Sequence, residues 1–147
     1  MQEARASSEQ LTWEEGCPRS ISSDLVWKLD AYRGALFLLH LARGDCAAIS
    51  AGRPGEGVAD QLIRAAASVS ANIGEGYSRS TRADRIRFLD YALGSCRECV
   101  SWYQATRTLL PDDVIDQRLQ LITRIRALLL GLIRSYRERK KANFFEP

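Results

Sequence analysis

Residues 111–136 read PDDVIDQRLQLITRIRALLLGLIRSY, and their spacing decides the fold class. Ile115, Leu119, Ile122, Ile125, Leu129, Leu132 and Tyr136 recur at steps of three and four, which is one face of an α-helix. Pro111 suits the first helical position, and Asp112 and Asp113 complement the positive end of the helix dipole. The same alternation recurs in three earlier segments. Leu89, Leu93, Cys96, Val100 and Tyr103 mark a helix that opens at Thr81-x-x-Asp84, a capping box, and runs on to about Leu109. Val58, Leu62, Ala65, Val69 and Ile73 mark another, with Gly74 and Gly76 expected to end it. Leu25, Leu29, Tyr32, Leu36 and Leu39 mark the first, from a start near Ser23–Asp24 to a stop at Gly44-Asp45. The glycine-rich stretch from Ile49 to Gly57 reads as a loop.

No useful length alternates with period two, so the expectation is an all-α protein, an up-and-down four-helix bundle. It divides into a disordered N-terminal tail over 1–20, the bundle over 21–141 and a C-terminal tail over 142–147. At 147 residues, 46% of them hydrophobic, the chain is long enough for one core without disulfide or metal staples. The two last helices look nearly thirty residues long, and helices of that length often present a second apolar strip to another subunit. The segment from Met1 to Gln10 has no apolar region of the signal-peptide kind. The apolar runs from Ala35 to Leu39 and from Ala127 to Leu130 are too short for a membrane span, so a cytoplasmic location is expected.

The formal net charge is +3, unevenly spread. Between Arg118 and Lys141 eight basic residues face one acid, Glu138, which leaves the remainder of the chain at −4. Such a run is either a polyanion-binding surface or a solvated helix face. At about 100° per residue, Arg126, Arg134, Arg137 and Lys141 fall within an arc of roughly 80°. They form a stripe, with Arg79, Arg82 and Arg85 near its C-terminal end if the last two helices pack antiparallel.

Groups for catalysis are few. His40 is the only histidine and lies between Leu39 and Leu41. With Arg33 it forms an Arg-x6-His pattern that resembles the motif of HEPN-type ribonucleases; a structural His40 is the preferred reading. Cys96-x-x-Cys99 has no second pair and falls on an apolar stripe, where cysteine packs as a small hydrophobe. No catalytic residue, metal site or cofactor is expected.

Two further stretches, QLIRAAASVSANIGEGY (61–77) and RFLDYALGSCRE (87–98), together with Leu25, Val26, Trp27 and Lys28, carry a resemblance. They resemble the "four helix bundle protein" family, encoded in intervening sequences of bacterial large-subunit ribosomal RNA genes. The accessory protein of diversity-generating retroelements is a relative. The resemblance covers roughly residues 23–140. This chain departs from the family pattern at Ala71, where many members have proline, at Gly74, which replaces alanine, and at Cys96 and Cys99, which replace leucines. It implies a homo-oligomer, commonly a pentameric ring, with a basic surface thought to meet nucleic acid, and no catalytic residues. RNA is the favoured partner, no membrane is expected, and a reverse transcriptase is a protein partner to consider. A protein-binding scaffold with no nucleic-acid role is the alternative. Asn72, Glu75 and Gly76 are expected to fix the end of the second long helix.

Overall fold

The computed structural model describes residues 5–51 and 56–142; the side chains of 56 and 139–142 lie outside that description. Among the described residues there are six α-helices, one 3-10 turn and no strand. Short helices α1 (Ser8–Glu15) and α2 (Arg19–Ser22) precede the 3-10 turn Leu25–Lys28. Four long helices follow: α3 (Asp30–Ser50), α4 (Glu56–Tyr77), α5 (Arg82–Ala105) and α6 (Asp112–Ala142). The chain is all-α, as its periodicity predicts. None of the described helices is long and apolar enough to cross a membrane.

Each long helix packs on two others: α3 on α4, α4 on α5, α5 on α6, and α6 back on α3. Enclosed between them is a single core in which Leu38, Leu62, Ile73, Ile115, Ile122, Ile125 and Leu129 are fully buried. The α5 start is as the sequence predicts. Thr81 Oγ1 accepts the Asp84 backbone N–H at 3.1 Å and donates to the Asp84 carboxylate at 2.8 Å. A cap of this kind stabilises a helix by about 1 kcal/mol. At 24 residues α5 is shorter than expected; it ends at Ala105, while α6 has 31.

Three expectations are corrected. Gly44-Asp45 does not stop α3, which continues to Ser50. A side chain at Gly44 would meet nothing, so the glycine costs α3 only about 1 kcal/mol of propensity. Asp45 is buried and bonded within the protein rather than solvated at a helix end. The stretch read as a loop from Ile49 to Gly57 therefore starts after Ser50, and its centre, 52–55, lies outside the described residues.

The second correction concerns Gly74 and Gly76, which stand inside α4 and have no positive φ. Gly76 has a different use. A Cβ there would stand 3.0 Å from the Phe88 Cβ and 3.3 Å from the Arg85 carbonyl oxygen, so the glycine lets α5 come close.

The third is the N-terminal tail. Residues 8–15 are helical, and Ser7 caps α1 by accepting the Gln10 N–H at 3.1 Å. α1 packs on α3. Trp13 lies 5.4 Å from the Phe37 ring, Glu14 accepts from Arg33 at 3.2 Å, and Gln10, 1% exposed, accepts from Arg124 on α6 at 3.1 Å. This helix is held by one aromatic ring and polar side chains, which an apolar period does not register. The first long helix is likewise preceded by a separate turn: Asp24 caps Leu25–Lys28, and α3 starts only at Asp30.

Candidate nucleic-acid interface

Arg85 joins the two arginine groups. Its Nε donates to the Arg79 carbonyl at 2.7 Å, closing the α4–α5 connection, and its guanidinium lies 5.7 Å from the Tyr136 ring centroid on α6. The opening of α5 is thereby fixed beside the C-terminal part of α6, which the antiparallel expectation requires. Arg79 pairs with Glu75 one turn earlier and lies 4.8 Å over Phe88, while its Nε is buried without a hydrogen-bond partner. Arg87 pairs with Asp84 at 2.9 Å and reaches the same ring at 5.6 Å. Arg82 is half-buried, Arg134 and Arg137 are exposed, and none of the three forms an ion pair among the described residues.

The predicted stripe is not uniform. Arg126 is half-buried, and its charge acts on the Cys96 thiol of α5. It stands eight residues, about 12 Å, before Arg134 along α6. Lys141 lies in α6, but its side chain is outside the described residues. The Arg85–Tyr136 contact therefore sets the opening of α5, with Arg82 and Arg85, beside the part of α6 that carries Arg134 and Arg137, while Arg79 and Arg87 meet over Phe88.

Glu75 and Gly76 stand in the last turn of α4, where their carbonyls accept the Ser78 and Arg79 N–H groups at 3.2 Å; Asn72 lies a turn earlier. Asn72 Nδ2 donates to the Ser68 carbonyl at 2.9 Å and to Ser68 Oγ at 3.0 Å. Ser95 Oγ on α5 stands 3.0 Å from the same Ser68 hydroxyl. These residues make a small polar seam between α4 and α5; Glu75 instead holds Arg79.

Missing from the sequence reading is a buried ionic cluster. Arg118 donates from Nε to Asp45 Oδ2 at 2.8 Å and from Nη2 to Oδ1 at 3.1 Å, and the Tyr103 hydroxyl donates to Oδ2 at 2.7 Å. Arg118, Asp45 and Tyr103 come from α6, α3 and α5 and are 9%, 7% and 0% exposed. Burial and the adjacent Asp45 carboxylate raise the Tyr103 hydroxyl well above its ordinary pKa. Burial opposes the Arg118 charge, but hydrogen bonding to Asp45 and its charge outweigh that and raise the guanidinium pKa. Arg118 thus belongs to the interior and not to the basic surface. A signal existed: Arg118 falls between Ile115 and Ile122 on the buried stripe, and Asp45 between Ala42 and Ile49.

Cys96 and Cys99 are fully buried, as the packing reading predicts. Burial pushes each thiol up to about 12. At neutral pH they are protonated, the form that neither attacks nor ligates. Among the described residues no three His, Cys, Asp or Glu side chains converge on a possible metal position. Arg33 donates to Glu14, to the Trp27 carbonyl and to Asp30, while His40 is exposed and lies between Phe37 and Trp13, at 6.3 and 5.8 Å between ring centroids.

Residues 54–131 match the model of the 23S rRNA-intervening sequence protein family. The chain belongs to that family. The match takes in α4, α5 and most of α6, including the polar seam. A solved structure from Bacteroides thetaiotaomicron, a protein of unknown function from the S23 ribosomal protein family, is similar to this intervening-sequence protein, with a TM-score of 0.66 and 23% identity. The similarity covers 70% of this chain and 97% of that one, and at this identity it speaks to the fold alone. No curated protein matches.

Proposed function

We propose that this intervening-sequence protein is a non-enzymatic, homo-oligomeric RNA-binding or adaptor protein, built on an up-and-down four-helix bundle and working in the cytoplasm. The observation that carries the reading is the Arg85–Tyr136 contact, which sets the arginine-bearing opening of α5 beside the part of α6 that carries Arg134 and Arg137. Arginine suits phosphate because its planar fork donates two hydrogen bonds at once. The family's association with ribosomal RNA genes favours RNA over DNA. The bundle topology is supported by the closed cycle of packings among the four long helices and by the short links 78–81 and 106–111. Self-association, a pentamer by resemblance, is supported by the exposed Leu11, Ile21 and Leu25 of the N-terminal segment, 50%, 42% and 59% exposed.

Binding of this kind is weakly sequence-selective and strongly salt-dependent. The test is RNA affinity at several salt concentrations for wild type and for the Arg134→Glu, Arg137→Glu double variant. The variant is expected to bind more weakly, with the slope of log K against log salt reduced by roughly 0.7 to 0.9 for each phosphate no longer neutralised. Unchanged affinity and slope in a folded variant would reject the surface and leave the protein-scaffold reading.

A further inference from the structure

A cleft of about 400 Å³ opens between α1, α3 and α6. Its volume falls within the range of about 300–1,000 Å³ typical of small-molecule sites. Arg134 follows Arg124, the last α6 residue of the lining, by about 15 Å of helix, so the cleft is separate from the arginine surface. Phe37 and Leu41 of α3 and Leu121 of α6 give it apolar walls. Arg5, Arg118 and Arg124 bring three guanidinium groups, and Glu9 is the one carboxylate among the described lining residues.

Arg118 is the most buried of the three, at 9% exposed. Its Nε and Nη2 are taken up by Asp45. Nη1 makes no hydrogen bond among the described residues, yet it is not sealed from solvent. A guanidinium held along one edge by a buried carboxylate thus keeps two N–H donors for whatever enters the cleft. Arg124 is steadied from the α1 side, where it donates to Gln10, itself 1% exposed and bonded to Glu14 at 2.7 Å. Ser7 Oγ takes only the Gln10 N–H, which leaves the N–H groups of Ser8 and Glu9 at the start of α1 beside the same cleft. A helix start of this kind favours negative charge. The Glu9 charge acts on Arg118 and competes with any incoming anion. Three guanidinium groups against Glu9 and the buried Asp45 still leave one positive charge in excess. That balance disfavours a cation, and a purely apolar molecule would leave Arg118 Nη1 without a partner.

We propose that this cleft binds a small organic anion. Arg118 Nη1, Arg124 and the start of α1 hold its carboxylate or phosphate head, and its apolar body lies against Phe37, Leu41 and Leu121. Since α1 and α6 grip the head together, the ligand clamps α1 onto the long helices. The site goes beyond the RNA-binding reading and does not depend on it.

The experiment titrates the full-length protein with inorganic phosphate, phenyl phosphate and benzoate, and follows α1 by hydrogen exchange. The variants are Glu9→Gln, the pair Gln117→Glu with Gln120→Glu, and the pair Arg134→Glu with Arg137→Glu, all at exposed positions. At least one aromatic anion is expected to bind more tightly than inorganic phosphate and to slow exchange over residues 8–15; the one that binds assigns the head group. Glu9→Gln should tighten this binding and the Gln117→Glu, Gln120→Glu protein should weaken it, each roughly tenfold, the scale of one or two charges beside a partly solvated anion. The Arg134→Glu, Arg137→Glu protein should bind as wild type does. Failure of all three probes at millimolar concentration would overturn the site, as would wild-type binding in a folded Gln117→Glu, Gln120→Glu protein. RNA affinity is measured on the same proteins. A fall in the glutamine pair as large as that in the arginine pair would assign the cleft to RNA phosphate and overturn the small-anion site.

Discussion

Between α4 and α5 the chain uses residues that let backbones approach: Ala65, Ala66 and Ala92 are buried, Gly76 admits Phe88, and Ser68 and Ser95 bond across the gap. Between α1 and α3 it uses long side chains that reach: Trp13 to Phe37, Glu14 to Arg33, and Gln10 onward to Arg124 on α6. The first kind of packing removes backbone and side chain together from water and tolerates no change of shape. The second holds a partly exposed helix by its tips, and its parts can be removed singly. The interior of the four long helices should therefore unfold as one cooperative unit, and α1 should open at lower free energy.

The largest effect should come from the buried Asp45 cluster. Asp45→Ala leaves the Arg118 guanidinium buried without its carboxylate, and breaking such a pair costs about 3–5 kcal/mol. Chemical denaturation measures it. The double variant Asp45→Leu, Arg118→Met should recover most of the loss, since apolar pairs often replace buried ions well. A loss under about 1 kcal/mol in Asp45→Ala would show that the cluster is not part of the cooperative interior.

The two core thiols come next. Their pKa values are raised from 9.0 unfolded to about 12 folded, because burial disfavours the thiolate. The unfolded chain therefore loses these protons first. Stability from this source is complete below about pH 9 and disappears as pH rises from about 9 to about 12. At about pH 11 the loss is roughly 2 kcal/mol per thiol. Denaturation midpoints of wild type and of Cys96→Ala, Cys99→Ala should converge between about pH 8 and about pH 11. Parallel curves would mean that the thiols are not buried.

How much of this is legible in the sequence follows from what each element rests on. The α5 cap and the apolar faces of α4, α5 and α6 are local patterns, and the sequence carries them openly. The end of α3 escapes a local reading because Gly44-Asp45 punctuates a helix only when the aspartate is solvated, and here its partner Arg118 is 73 residues away. A trace of it is nevertheless present, as opposite charges interrupting two apolar stripes. α1 carries no apolar stripe at all, so no periodicity could announce it. At the candidate interface, angular position on α6 groups Arg134 and Arg137, and both are exposed. The Arg85–Tyr136 contact depends on tertiary register. Arg126 and Arg118 show the limit of counting charges: both lie in the basic run, and one is half-buried while the other is internal.

Trp13→Ala tests the other half of the comparison. Trp13 touches Phe37, His40 and Trp27, and each aromatic pair is worth about 0.5–1.5 kcal/mol beyond its burial. The expected result is a loss of about 1–2 kcal/mol, most of it local. In hydrogen exchange, protection should fall over residues 8–28 and stay unchanged in α4 and α5. A uniform fall across α4 and α5 would show that the N-terminal segment belongs to the same cooperative unit as the long helices.

His40→Ala should have the smallest effect. The ring is exposed and contributes only its contacts with Phe37 and Trp13, so the expected loss is below about 1 kcal/mol. The same variant decides the ribonuclease reading. A HEPN-like mechanism needs Arg33 and His40 to act together on an RNA phosphate, but the Arg33 guanidinium is already committed to Glu14, Asp30 and the Trp27 carbonyl. Reaching a phosphate would require breaking these bonds, and with them part of the docking of α1. Purified wild type and His40→Ala should therefore treat RNA alike, and Arg33→Ala should loosen α1 without altering any RNA product. A cleavage seen with wild type and abolished in a folded His40→Ala protein would make this surface catalytic. The Arg33 bonds would then be the resting state of an active site in place of a structural tie.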